Sequence, residues 1–95
     1  MIKHIVLFKL KNPTTEVVNE TVAKLRSLEG KVESLIALEI GADILRTERS
    51  YDVALTATFE TLEGLQAYQV HPKHVKIIEY MNSVRESSIA ADYEY

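Results

Sequence analysis

Four stretches of alternating apolar residues and two of helical spacing, in the order strand-helix-strand-strand-helix-strand, predict an α+β fold of the ferredoxin-like β-α-β-β-α-β type. Asparagine, glycine or proline stands near most of the junctions, where turns and caps need them. The length of 95 residues suits one core, and one domain is expected over residues 1–95.

The opening stretch, Ile2 to Leu10, contains no turn residue. Ile2, His4, Val6, Phe8 and Leu10 share one face of a strand, and Ile5 and Leu7 occupy the other between lysines. Both faces are apolar at the centre, as in a strand covered on both sides. Asn12 is expected to cap a helix with Pro13 in its first position, where a missing N–H costs nothing. Val18, Val22, Leu25 and Leu28 form its buried stripe, and Gly30 is the expected stop. The second strand, about Val32 to Ile40, places Ile36, Leu38 and Ile40 on one side, Leu35 and Ala37 on the other, and ends at Gly41.

Residues 42–50 read as a solvated connection. A third strand, Tyr51 to Phe59, alternates apolar Val53, Leu55, Ala57 and Phe59 with small or hydroxylated Asp52, Ala54, Thr56 and Thr58. Thr61 caps a second helix through Leu62, Leu65 and Tyr68, which Pro72 must break because the preceding residue disfavours helical geometry. A short further helix carries His74, Ile77, Ile78 and Met81, and a last strand runs from Val84 to Tyr95.

Helices cover only one face of such a sheet. The other keeps Ile5, Leu7, Ala54, Ala90 and threonine methyls, so a homodimer packed sheet to sheet is expected, burying roughly 1,200–2,000 Å² or more. Absence of cysteine excludes a disulfide framework and a thiolate zinc site. A net charge of −3 argues against a nucleic-acid partner. The apolar run of MIKHIVLFKLK is too short for a membrane span and has no cleavage site, so a soluble cytoplasmic protein without a membrane partner is expected.

The chemistry-bearing segment is YQVHPKHVKIIEYM, Tyr68 to Met81, which holds two of the three histidines. An imidazole with an ordinary pKa of about 6.5 exchanges protons near neutral pH. His74 could remove a proton alpha to a carbonyl while the Tyr68 hydroxyl binds the enolate oxygen, provided the Pro72 turn brings both into one cavity. The plainer reading makes His74 a buried side chain tying that turn to the last strand, and Tyr68 an ordinary amphipathic-helix residue. His71, before the proline, reads first as a cap and second as a ligand contact. His4 shares its face with Val6 and Phe8, as core or as pocket wall, and Leu55 lies on the matching face of the third strand. No cysteine or acidic residue stands close enough to His71 and His74 in sequence to complete a metal site, so no metal is expected.

Lys3-His4-Ile5-Val6-Leu7-Phe8-Lys9, Phe59-Glu60-Thr61-Leu62-Glu63, His71-Pro72-Lys73-His74-Val75 and Asp92-Tyr93 occur in this order across the chain. In them the sequence resembles the stress-responsive α/β-barrel (Dabb) domain of the dimeric α+β barrel superfamily. The resemblance implies two ferredoxin-like subunits whose sheets close into a barrel. From plant polyketide-cyclase members it implies cofactor-independent acid/base chemistry with His74 and Tyr68 as catalytic residues. His4 and Asp92 match further family positions, and Asp92 could hold the tautomer of the His74 imidazole, as a carboxylate does in a triad. The aromatic lining those enzymes carry on the first helix is replaced here by Val17, Val18, Val22 and Leu25, so their substrate does not transfer.

Two functional readings stand at this point. One is a cofactor-free acid/base enzyme, or binder of a small apolar carbonyl compound, with His4, Val6, Phe8, Leu55, His71 and Asp92 around the ligand. The other is a non-catalytic stress or interaction protein whose dimer is the functional unit. A void of roughly 300 Å³ or more beside His74 is expected if a ligand enters.

Overall fold

The computed structural model describes residues 1–95. Its elements are β1 (Ile2–Leu10), α1 (Thr15–Arg26), β2 (Leu35–Ala42), β3 (Val53–Phe59), α2 (Leu62–Val70), α3 (Pro72–Val84) and β4 (Arg85–Glu94). The four strands form one antiparallel sheet in the order β2-β3-β1-β4, the ferredoxin-like arrangement. The helices lie on one face. Between them and the sheet Phe59, Tyr68, Leu25, Leu28, Met81 and Val53 are fully buried.

Several junctions differ from expectation, each for a local reason. The cap of α1 is Thr14, not Asn12: its hydroxyl accepts the Val17 N–H at 3.2 Å. Asn12 instead accepts the Thr14 N–H through its carbonyl at 2.8 Å, closing a three-residue turn around Pro13. The helix stops at Arg26, and Gly30 (φ +75°) serves the turns that follow. These turns carry Leu28 and Val32 into the core ahead of β2, which begins at Leu35 and runs through Gly41 to Ala42. An irregularity between Leu35 and Ala37 breaks the β2–β3 register, so Leu35 packs on the core and Ile36 is exposed, the reverse of simple alternation. Asp52 precedes β3 and is buried. Its carboxylate accepts the Leu10 N–H at 2.7 Å while its own N–H donates to the Phe8 carbonyl at 2.8 Å, which finishes β1.

The register with β4 corrects the outer face. Leu7 pairs with Ile89, Ile5 with Ala91 and Lys3 with Tyr93, whereas Ala90 pairs with Val6 and so lies on the helix side. Ile5, Leu7, Ala54, Ile89 and Ala91 therefore make the apolar outer surface, with Ile89 and Tyr93 still 52% and 47% exposed. No helix is long and apolar enough to cross a membrane.

The cap assignment has a direct check. Thr14→Ala should lower the unfolding free energy in urea by about 1 kcal/mol, whereas Asn12→Ala, which keeps the backbone carbonyl, should change it by less than about 0.5 kcal/mol.

Candidate functional site

The site is built on the break between α2 and α3. His71 has extended backbone (φ −64°, ψ 135°), the geometry a residue before proline prefers. Its N–H donates to the Tyr68 carbonyl at 3.1 Å and closes α2. Its ring Nδ1 accepts the Lys73 N–H at 3.1 Å, and its carbonyl accepts the Val75 N–H at 2.9 Å, opening α3. α3 is thirteen residues long rather than short. The break at this point sets Tyr68 against His74, ring centroids 4.2 Å apart and tilted by 44°. Tyr68 also leans on Phe59 at 5.1 Å and meets His4 edge-on at 6.2 Å.

These rings border a cavity of about 230 Å³ between the sheet and the helices, smaller than the volume expected from the sequence. His4, Val6, Phe8, Leu55, Tyr68 and His74 line it; His71 and Asp92 do not. His71 is occupied as the cap. Asp92 stands opposite His4 in the β1–β4 register and hydrogen-bonds His4 Nδ1. The carboxylate thus holds the first-strand imidazole and not His74. The remaining wall comes from Leu25, Ile77, Ile78 and Met81, with Gln69, Asn82, Arg85 and Ser88 as polar members. The helical spacing of Ile77, Ile78 and Met81 from His74 carried a signal for three of them. Arg85 and Ser88 had none, because only the β1–β4 register brings them alongside Phe8 and Leu10.

The protonation states follow from geometry and burial. His74 Nδ1–H donates to the Gln69 carbonyl at 3.2 Å. A carbonyl only accepts, so the neutral ring carries its proton on Nδ1 and keeps the Nε2 lone pair free. Burial lowers the His74 pKa from its ordinary value; the Gln69 hydrogen bond opposes this, and the neighbouring His4 and His71 reinforce it. Burial pushes the Tyr68 phenol up to about 12, so it remains an O–H donor. Tyr68 is 1% exposed and its hydroxyl has no partner within the chain. Since no fully buried side-chain polar atom is left unpaired, that hydroxyl is the part of the residue open to the cavity. A base lone pair, a neutral donor and a carboxylate-held imidazole therefore meet at one apolar-walled end. No group of three or more His, Cys, Asp or Glu side chains is gathered as a metal site.

Nitrogen-15 NMR should find neutral His74 protonated on Nδ1 and bare on Nε2, and Asp92→Asn should perturb the His4 ring while leaving the His74 tautomer in place. Because the folded pKa of His74 is depressed, the native state binds fewer protons than the unfolded chain. Its contribution to stability is complete above the unfolded value of about 6.5 and is lost as pH falls through the folded value. His74→Asn should flatten that part of the urea-midpoint profile on acidification.

Comparison with known proteins bears on this arrangement. The sequence profile of the stress responsive A/B barrel domain, Dabb, matches residues 2–95. The stress-response A/B barrel domain-containing protein DABB1 of Arabidopsis thaliana is 26% identical over 102 residues, covering 98% of this chain; the chain spans only 46% of that protein's length. Olivetolic acid cyclase of Cannabis sativa is 28% identical over 95 residues, 97% of this chain and 94% of that protein. A crystal structure of a dimeric protein of unknown function with a ferredoxin-like fold from Bacteroides fragilis superposes with a TM-score of 0.86 at 30% identity, covering 99% of this chain and 95% of the other. With a profile match over nearly every residue and the same fold in its relatives, the chain belongs to the stress responsive A/B barrel domain (Dabb) family.

Proposed function

We propose that this protein is a homodimer whose cavity binds a small apolar carbonyl compound and moves a proton on it without an external cofactor, as a cyclase-type acid/base catalyst. The observation that carries the reading is the Tyr68–His74 pair at the end of an apolar-walled cavity. His74 Nε2 accepts a proton from carbon alpha to a carbonyl, the C–H electron pair becomes the enolate, and the Tyr68 hydroxyl donates a hydrogen bond to the enolate oxygen. Attack of that carbon on a second carbonyl forms the C–C bond, and the imidazolium returns its proton to the resulting alkoxide. A phenol with a pKa near 12 suits hydrogen-bond donation better than full proton transfer, which leaves the proton chemistry to His74. The similarity to olivetolic acid cyclase, over nearly the whole of both chains, supports this class of chemistry.

The volume limits the ligand. An apolar cavity of about 150 Å³ accepts benzene, so about 230 Å³ admits one substituted ring or a short chain folding into one. The dimer reading is supported by the apolar outer face of the sheet and by the dimeric relative at 30% identity.

Two measurements test these parts separately. Across a panel of β-polyketones, His74→Ala should lower kcat by roughly 10²-fold or more and Tyr68→Phe by roughly 10²-fold; unchanged turnover in both variants for every active compound removes the catalytic reading in favour of a non-catalytic interaction protein. Light scattering should give twice the 10.8 kDa chain mass. Ile89→Arg, at a half-exposed outer position, should reduce it to a single chain without loss of secondary structure by circular dichroism.

A further inference from the structure

The polar group least explained by acid/base chemistry is Arg85, at the junction of α3 and β4. Its Nε and Nη2 donate to Asn82 Oδ1 at 3.1 and 2.9 Å, and its Nη1 donates to Ser88 Oγ at 3.2 Å. All three residues border the cavity. Both partners are neutral, and no carboxylate lies within salt-bridge distance of the guanidinium, so it is held in place with its charge uncompensated. A guanidinium has five N–H groups, and these contacts leave one on each terminal nitrogen.

Chain geometry aims this side chain inward. Along β4, Ser88 pairs with Phe8 and Ser87 with Lys9, after which an irregularity at Lys9/Leu10 pairs Leu10 with Arg85 instead of Glu86. Uninterrupted alternation would turn Glu86 to the helix side and Arg85 outward. The bulge exchanges them, so a cation takes the place an anion would have had.

Arg85 and the Tyr68–His74 pair occupy opposite ends. Ser88 pairs with Phe8, four strand residues from His4, about 13 Å along β1. On α3, His74 and Asn82 are eight residues apart, about 12 Å. Val6, Ile77, Ile78 and Met81 lie between. We infer that the ligand is a small keto acid, its carbonyl at Tyr68 and His74, its apolar middle against these side chains, and its carboxylate on Arg85. The inference rests on the cavity reading above and adds the charged end of the ligand. Arg rather than Lys fits the task, since a planar fork matches a carboxylate in two parallel hydrogen bonds.

The test compares 4-(4-acetylphenyl)butyrate, whose ring lies between its ketone and its carboxylate, with its methyl ester by calorimetric titration at pH 8, on wild type, Arg85→Met, Arg85→Gln and His74→Ala. Wild type should bind the acid at least tenfold tighter than the ester. Either Arg85 variant should abolish the preference for the acid over the ester, with an unchanged circular dichroism spectrum reporting an intact fold; His74→Ala should retain the preference. Equal binding of acid and ester by wild type, or a preference that survives loss of Arg85, overturns the carboxylate assignment but leaves the cavity reading standing. Failure of both compounds to bind wild type overturns both.

Discussion

The interruption of the helix at His71-Pro72 is the constraint on which the site depends. In a continuous helix Tyr68 and His74 would be separated by six residues, about 9 Å of rise and well over a full turn, and could not share a surface. The proline removes a backbone donor and forces its predecessor into extended geometry. Breaking a helix in this way leaves unpaired N–H and carbonyl groups at both new ends. His71 answers at both: its N–H finishes α2, and its ring nitrogen and carbonyl begin α3. The residue that the family motif makes conspicuous thus acts through its neighbours, by setting the angle at which they meet.

Once in contact, the two rings alter each other's surroundings in the same sense. Removal from water disfavours charge on either group, which raises the phenol and lowers the imidazole. The result at neutral pH is a donor and a base, both uncharged, in an apolar enclosure. Such a pair attracts no ion on its own account but has strong hydrogen-bonding capacity where little water competes. Arg85 supplies the charge that this end lacks, held by two neutral acceptors. In the proposed reading, separation of the two functions along the cavity would let an anionic group and a reacting carbonyl be recognised independently.

Much of this was legible in the chain. Period-two alternation located β1 within its observed bounds, and the helical stripe of α1 and the Pro72 break were plain from residue type and spacing. What failed were features set by pairing partners. Nothing local reveals that Thr14 outcompetes Asn12 as a cap, since both have capping side chains and Pro13 decides by turning the chain between them. The exchange of Leu35 with Ile36 follows from an irregularity that exists only against β3. By sequence Asp92 suits the imidazole of His74, but the β1–β4 register sets it on His4 instead. The inward turn of Arg85 has the same origin, and so escaped any reading of local pattern.

β1 joins these threads. It is flanked by β3 on one side and β4 on the other, and its alternate residues face opposite ways. His4, Val6 and Phe8 border the cavity, while Ile5 and Leu7 belong to the apolar outer surface. A slip of one residue would exchange the two sets and destroy both surfaces together. Asp52 secures one end of the strand through Leu10, and the His4–Asp92 pair ties the other to β4. A partner sheet resting on Ile5 and Leu7, as proposed, would press on the same backbone that carries His4 without touching the ligand. Assembly would then act on the site through strand rigidity, because main-chain displacement on the outer face is also displacement of the imidazole on the inner one.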